Sequence, residues 1–244
     1  MSKLIVCLPV TYEFGGELLK NVYHVNGIDG YKIVCHEKGK ECLYPSADER
    51  FYVEKGTSDD DIKNKLGEGY DFIHVGGHCR KAKPFIPEVK DYGFNADVVF
   101  FPRKKANNAQ MNWGKWDLFV NKLQSRGVKL FAAGHPDYSF HLNCESAWDY
   151  DNYLESTIYA IKNSSIRIGF ITSLTVLSLM CGKDVWILTT PKGDKAPIAN
   201  VGPNIGYLRW ADHKNAGWRL VPHLDDINHI IFEIRRNHYE SFQS

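Results

Sequence analysis

Two hydroxyl residues, Thr172 and Ser173, stand at the joint between two apolar runs, Ile166–Ile171 and Leu174–Met180. With the first run as a strand and the second as a helix, the joint is a helix start at the carboxyl edge of a sheet. The first amide N–H groups of a helix have no partner within it, and the dipole adds partial positive charge there. That is the chemistry of a phosphate site, with Thr172 or Ser173 as N-cap. A basic triplet, Arg103-Lys104-Lys105, follows another apolar run, "DVVFFP". Charge-assisted bonds from such side chains to phosphate oxygens are the strong kind. Taken singly, the joint reads as a plain cap and the triplet as a solvated loop. Both fall at the carboxyl edge of one predicted sheet, and together they favour an anionic ligand such as a diphosphate.

Carboxylates suited to acid–base work come earlier. In "PVTYEFGGELLKN", Glu13 and Glu17 flank Gly15-Gly16 directly after the first apolar run. The glycines permit close backbone approach to a ligand. Glu17 opens the next helix, where an acidic residue favours the first helical turn. "HVGGHCRKAKPF" places His78 and Arg80 after another strand; it reads as a grip on an anionic acceptor or as a solvated loop. After Gly134, "HPDYSFH" holds His135 and Asp137 on either side of Pro136, which favours a turn. "WDYDN" holds Asp149-Tyr150-Asp151, a metal-binding pattern elsewhere, but here it precedes a helix that Asp151 can cap. The six cysteines form no CxxC pair and show no zinc spacing. Cys7, Cys35 and Cys181 sit in or beside apolar runs and read as reduced core thiols.

Positioning these groups needs strands alternating with helices. Lys3–Val10, Tyr31–Cys35, Tyr70–Val75, Asp97–Pro102, Val128–Ala133, Ile166–Ile171 and Val185–Leu188 read as strands. Gly16–Val25, Trp113–Arg126, Asp151–Asn163 and Leu224–Asn237 read as helices, as does "TSDDDIKNKLGEG", with its hydroxyl cap, acidic first turn and closing Gly67. Mostly apolar strands between helices imply parallel sheets covered on both faces. Polar, Gly and Asn residues break the alternation at 90–97. The expectation is therefore α/β, with two small Rossmann-like doubly wound domains, 1–94 and 95–244.

The chain of 244 residues is 43% apolar and 24% charged, the balance of an ordinary soluble protein. Its net charge of +1 gives no global field toward nucleic acid or membrane. No apolar run approaches the about 20 residues of a spanning helix. "MSKLIVCLPV" enters a strand without a signal-peptide cleavage site. The reading is a cytoplasmic protein.

The stretch "VVFFPRKKANNAQMNWGKWDLFVNKLQSRGVKLFAAGHPD" resembles the first strand–helix–strand of the C-terminal domain in GT-B glycosyltransferases, closest to the heptosyltransferase-like group. The shared features are an apolar strand, a basic loop, a Trp-containing helix start (Asn112-Trp113-Gly114-Lys115-Trp116) and a strand ending in Gly. "IRIGFITSLTVLSLMCGKDVWILTT" resembles that family's strand, Asp-Ser/Thr-Gly loop, helix, small residue and strand. It departs at the joint, where Thr172-Ser173-Leu174 stands: the helix amides remain and a carboxylate is lost. The resemblance covers residues 97–190 well and the rest loosely.

It implies a nucleotide-diphosphate sugar on the C-terminal domain, across a cleft from the N-terminal one. Thr172, Ser173, Leu174 and Thr175 would meet the diphosphate, Arg103 and Lys104 would neutralise it, and His135 and Asp137 would lie near the nucleoside. Gly15 and Gly16 would approach the donor from the other side. Glu17 resembles the family's catalytic base, with Glu for Asp; Glu13 is the second choice. His78 and Arg80 would hold the acceptor. The resemblance implies no cofactor and no metal, the leaving charge being carried by amides and basic residues. Two acceptor classes stay open. One is a surface glycan or lipid-linked sugar; the other is a hydroxymethylated base in phage DNA, with "RKK", "HCRKAK" and "DHKNAGWR" on its phosphates. A non-catalytic nucleotide- or sugar-binding module of the same fold is the alternative.

Overall fold

A computed structural model describes residues 4–8, 14, 17–74, 87–104, 114–170, 172–188, 218–221, 228, 230–232 and 234–236. Glu13, Gly15, Gly16, His78, Arg80 and Lys105 lie outside the described residues. The chain divides into two compact units, Met1–Glu88 and Val89–Ser244.

The first unit holds a four-stranded sheet, β1 (Leu4–Leu8), β2 (Lys32–His36), β3 (Glu49–Tyr52) and β4 (Tyr70–His74). Its order is β3-β2-β1-β4 and every pairing is parallel. β2 is buried along its whole length, as a parallel strand covered on both faces must be. β3 is an edge strand whose Glu49, Arg50 and Tyr52 are exposed. Charged side chains there discourage further pairing, and they also hide the strand from a hydropathy reading. A six-residue π-helical turn, Glu17–Val22, runs into a short helix, α1 (Tyr23–Gly27). Helix α2 (Asp59–Leu66) starts at Ser58, whose hydroxyl accepts from the Asp61 amide at 3.1 Å, and stops at Gly67. Its Ile62 joins Val6, Ile33, Cys35 and Val53 in the unit's core.

The second unit holds six strands: β5 (Val98–Phe101), β6 (Leu130–Ala132), β7 (Glu145–Ser146), β8 (Ile166–Gly169), β9 (Val185–Leu188) and β10 (Trp218–Val221). Their order is β10-β9-β8-β5-β6-β7, parallel throughout. The chain starts in the middle at β5, winds out to β7, then crosses back to β8. The crossover makes the β5/β8 junction the topological switch point. Helices α3 (Trp116–Gln124), α4 (Tyr153–Asn163) and α5 (Ser173–Met180) connect the strands. Trp116, Phe119 and Leu123 of α3 pack on Val98, Phe100, Ile168 and Trp186. Residues Ile230, Ile231 and Ile234 of a C-terminal helical segment are buried in the same core.

Both units are thus α/β with doubly wound parallel sheets. Residues 90–97, which break the alternation in the sequence, pack onto the second unit. Phe94 stacks on Phe131 at 4.6 Å, the Tyr92 hydroxyl donates to Glu155 at 3.0 Å, and the Tyr159 hydroxyl donates to Asp91 at 2.7 Å. The units therefore divide at Glu88–Val89, ahead of the boundary at 94 read from composition.

Asn152, rather than Asp151, caps α4, its side-chain oxygen accepting from the Leu154 and Glu155 amides at 3.1 Å each. Asp149 is engaged locally with the Ser146 amide and hydroxyl. Buried Arg167 in β8 gives its guanidinium to the carbonyls of Ser164, Ser165 and Asp184. Burial pulls its pKa down to about 10. Cys7, Cys35 and Cys181 are free and buried. Among the described residues, no helix is long and apolar enough to cross a membrane.

Candidate active site

Three of the segments singled out in the sequence meet at the carboxyl edge of the second sheet. β5 ends at Phe101, and the chain continues through Pro102 to Arg103 and Lys104. This continuation pairs antiparallel with the loop after β6. Arg103 bridges Ser139, the Lys104 amide donates to the Tyr138 carbonyl at 2.7 Å, and the Phe140 amide donates to the Pro102 carbonyl at 2.7 Å. Arg103 is half-buried and Lys104 is exposed, its ammonium 6.0 Å from the Phe140 ring centre.

The same loop touches the start of α5. Gly134 has φ +144, and a Cβ there would lie 2.6 Å from Ser139 Oγ and 3.6 Å from Leu174 Cδ1. Only glycine fits this backbone conformation and this space. Leu174 accordingly packs toward Gly134. The basic segment, the His135–Asp137 loop and the α5 N-terminus are in this way brought to one edge, next to the β5/β8 switch point. Ligands of open α/β sheets bind at that place.

The N-terminus of α5 is capped within the chain. Thr172 is the N-cap; its hydroxyl accepts from the Leu174 amide at 3.2 Å. The Thr175 hydroxyl donates to the Thr172 carbonyl at 2.6 Å and accepts from the Thr172 amide at 3.0 Å. Thr175 is fully buried, so its side chain serves the cap and offers nothing to a ligand. Ser173, the first helical residue, is half-buried.

His135 caps a 3-10 turn, Pro136–Tyr138, its Nδ1 accepting from the Asp137 amide at 3.2 Å. That bond needs Nδ1 unprotonated, so the neutral ring carries its proton on Nε2. The exposed Asp137 carboxylate stands 3.7 Å from Nδ1. Tyr138 and Tyr153 flank the ring, at 5.0 and 4.8 Å between centroids, and are 59% and 37% exposed. Neither tyrosine was singled out in the sequence. Tyr138 lies within the quoted loop, but Tyr153 arrives from α4, and only the fold brings the two together.

The carboxyl edge of the first sheet holds the acid expected to act as base. Glu17, at the start of the π-helical turn, is buried. Lys40, from the loop after β2, places its ammonium 2.6 Å from Glu17 Oε2 and 3.0 Å from Glu37 Oε2. The Tyr44 hydroxyl donates to Glu17 Oε1 at 3.2 Å. Burial disfavours the Lys40 charge, but Glu17 and Glu37 outweigh it and hold the ammonium above the ordinary lysine value. His36, the last residue of β2, is buried beside this group, stacked on Tyr44 at 5.6 Å.

No protein-family model and no curated protein matches the sequence. Solved structures do. The E. coli ADP-heptose LPS heptosyltransferase II superposes with a TM-score of 0.57 at 9% identity, over 98% of this chain and 99% of that one. A family 9 glycosyl transferase from Veillonella parvula gives 0.54 at 10% identity, over 95% and 91%. E. coli heptosyltransferase WaaC with ADP gives 0.54 at 11% identity, over 96% and 99%. The likeness is one of fold. It spans both units of this chain and nearly the whole of each neighbour, and those neighbours are glycosyltransferases.

Proposed function

We propose that this chain is a GT-B glycosyltransferase that moves a sugar from a nucleotide-diphosphate sugar to an acceptor hydroxyl. The observation that carries the reading is the meeting of Arg103, Lys104, the His135–Asp137 loop and the α5 N-terminus beside the β5/β8 switch point. A half-buried arginine and an exposed lysine next to a helix start suit a diphosphate, by charge-assisted bonds and by amide donors aligned with the dipole. The likeness in fold to enzymes solved with ADP or named for ADP-heptose supports the same donor class.

In this mechanism the second unit binds the donor and stabilises the leaving diphosphate. Arg103 and Lys104 neutralise the charge that grows as the sugar–phosphate bond breaks, without a bound metal. The Ser173 amide contributes to the oxyanion. Thr172, Leu174 and Thr175 shape that helix start. The rings of Tyr138 and Tyr153, tilted 41° and 68° to His135, offer faces on which a nucleoside can stack. Glu17, with Glu13 as second choice, takes the acceptor proton. Gly15 and Gly16 adjoin the donor and His78 and Arg80 the acceptor. The acceptor is a glycan or lipid-linked sugar, or a hydroxymethylated base in DNA.

The test is incubation of the full chain with a panel of nucleotide-diphosphate sugars, ADP-heptose first. Binding is measured by calorimetry and slow hydrolysis by release of free nucleoside diphosphate. Binding with turnover is the expected result. Binding without any release points to the non-catalytic module instead, and no binding to any donor overturns the reading.

A further inference from the structure

Within this glycosyltransferase reading, we propose that Lys40 is a positioning residue for Glu17, holding its carboxylate in a fixed orientation for the acceptor hydroxyl. The two residues come from neighbouring strands of one sheet: Glu17 follows β1 and Lys40 follows β2. Among the described residues, each oxygen of Glu17 receives one donor. Lys40 Nζ lies 2.6 Å from Oε2, and the Tyr44 hydroxyl donates to Oε1 at 3.2 Å. Two donors fix the plane of the carboxylate.

Burial separates this pair from an ordinary surface ion pair. The Glu17 side chain is 8% exposed and that of Lys40 19%. A carboxylate this deep stays charged only if it is paired. Lys40 also binds the more exposed Glu37 at 3.0 Å, so one ammonium serves two carboxylates and the trio keeps a net negative charge. Among the described residues, the Tyr44 phenol and His36 adjoin this group, with Glu41, Arg50 and Tyr52 around them. Glu17 also opens a π-helical turn, a rare conformation found disproportionately at functional positions.

The chemical step keeps Lys40 unchanged. The acceptor oxygen bonds to the sugar carbon as the bond to diphosphate breaks, and the electron pair leaves with the diphosphate. The hydroxyl proton passes to Glu17 and then to solvent. With water as acceptor the same step releases free sugar, so donor hydrolysis reports on it before the natural acceptor is known.

The experiment uses the full chain and the donor identified by the panel above. Rates of hydrolysis are measured against pH for wild type, Glu17→Gln, Lys40→Met and Lys40→Arg. Lys40→Met should lower kcat about tenfold to a hundredfold, the cost of a misplaced catalytic group. Donor Kd should stay the same, and Lys40→Arg should recover most of the rate. A rate loss that Lys40→Arg does not recover means packing only and overturns the proposal, as does an unchanged rate.

Full turnover in Glu17→Gln sinks the base assignment itself. An inactive Glu17→Gln beside an unchanged Lys40→Met rate sinks the Lys40 role alone. A second readout needs no activity: Lys40 acylation by acetic anhydride at pH 9, followed by mass spectrometry. With Glu17→Gln the carboxylate that raises the Lys40 pKa is removed, so labelling should be several-fold faster than in wild type. Equal labelling overturns the pairing. Should Lys40→Met be too unstable to purify, Lys40→Gln removes the charge and is read the same way.

Discussion

Gly169 ends β8 beneath the ring of Phe101, its partner in the β5/β8 register. A Cβ on Gly169 would lie 2.7 Å from Phe101 Cδ2 and 2.8 Å from Phe101 Cβ. Phe101 is itself buried, and its Cβ cannot swing away from the backbone. Gly169→Ala should therefore force the two strands apart at the switch point. The expected cost is about 1–3 kcal/mol, the range for overpacking a filled core, read as a lower urea midpoint. Donor affinity should fall with it, since Arg103 follows Phe101 closely. Unchanged stability would show that the edge yields more readily than its packing indicates.

Donor binding separates ligand contacts from cap contacts. Arg103→Ala should weaken donor affinity in calorimetry by about 1–3 kcal/mol for the charge-assisted bond lost. Ser173→Pro is a sharper probe. Proline is tolerated at the first helical position, and Thr172, at φ −141 and ψ 176, already has the extended backbone that precedes proline. The substitution removes one amide donor and leaves the helix intact. Thr175→Val should do the opposite, costing stability of about 0.5–2 kcal/mol through the lost cap with little change in donor affinity. Full donor affinity in both Arg103→Ala and Ser173→Pro would move the diphosphate elsewhere.

His36 should make the first unit acid-sensitive. Its Nδ1 is bonded to the Glu37 carbonyl at 2.8 Å, and its buried Nε2 has no partner among the described residues. Burial pulls its pKa below the ordinary histidine value and Arg50 adds to this, against the Glu37 carbonyl, Glu41 and Glu17. The folded state therefore binds the proton more weakly than the unfolded chain, whose histidines titrate near about 6.5. The resulting stability is fully present above that pH and is lost as pH falls through the lower folded value. Urea titrations at pH 7 and pH 5 should show this loss, and His36→Phe, which keeps a ring on Tyr44, should reduce it. Equal losses in the two proteins would place the acid sensitivity in other groups.

The pattern of residues along the chain determined the local elements by itself. Apolar runs such as Val98–Phe101 and Ile166–Gly169 are strands because a fully covered parallel strand must be apolar on both faces. Thr172 and Ser58 begin helices because their hydroxyls meet orphan amides within three residues. The cationic segment and the hydroxyl joint were legible for the same reason: each is a contiguous stretch with local chemistry. Strands that lack an apolar run were not legible. β3 is a charged edge, and β7 is the two-residue pair Glu145–Ser146.

The tertiary structure alone decided which stretches meet. Strand order puts β5 beside β8, although α3, β6, β7 and α4 separate them in sequence, because burying both faces of the sheet requires the crossover. That order brings the basic segment, the β6 loop and the α5 start to one edge. It also sends Tyr153 to His135 and Lys40 to Glu17, pairs set by packing across distant segments rather than by spacing. The segment 90–97 is polar enough to read as a break, yet Phe94 and Tyr92 tie it to the second unit. Hydropathy averages such aromatics away, whereas burial acts on each ring individually.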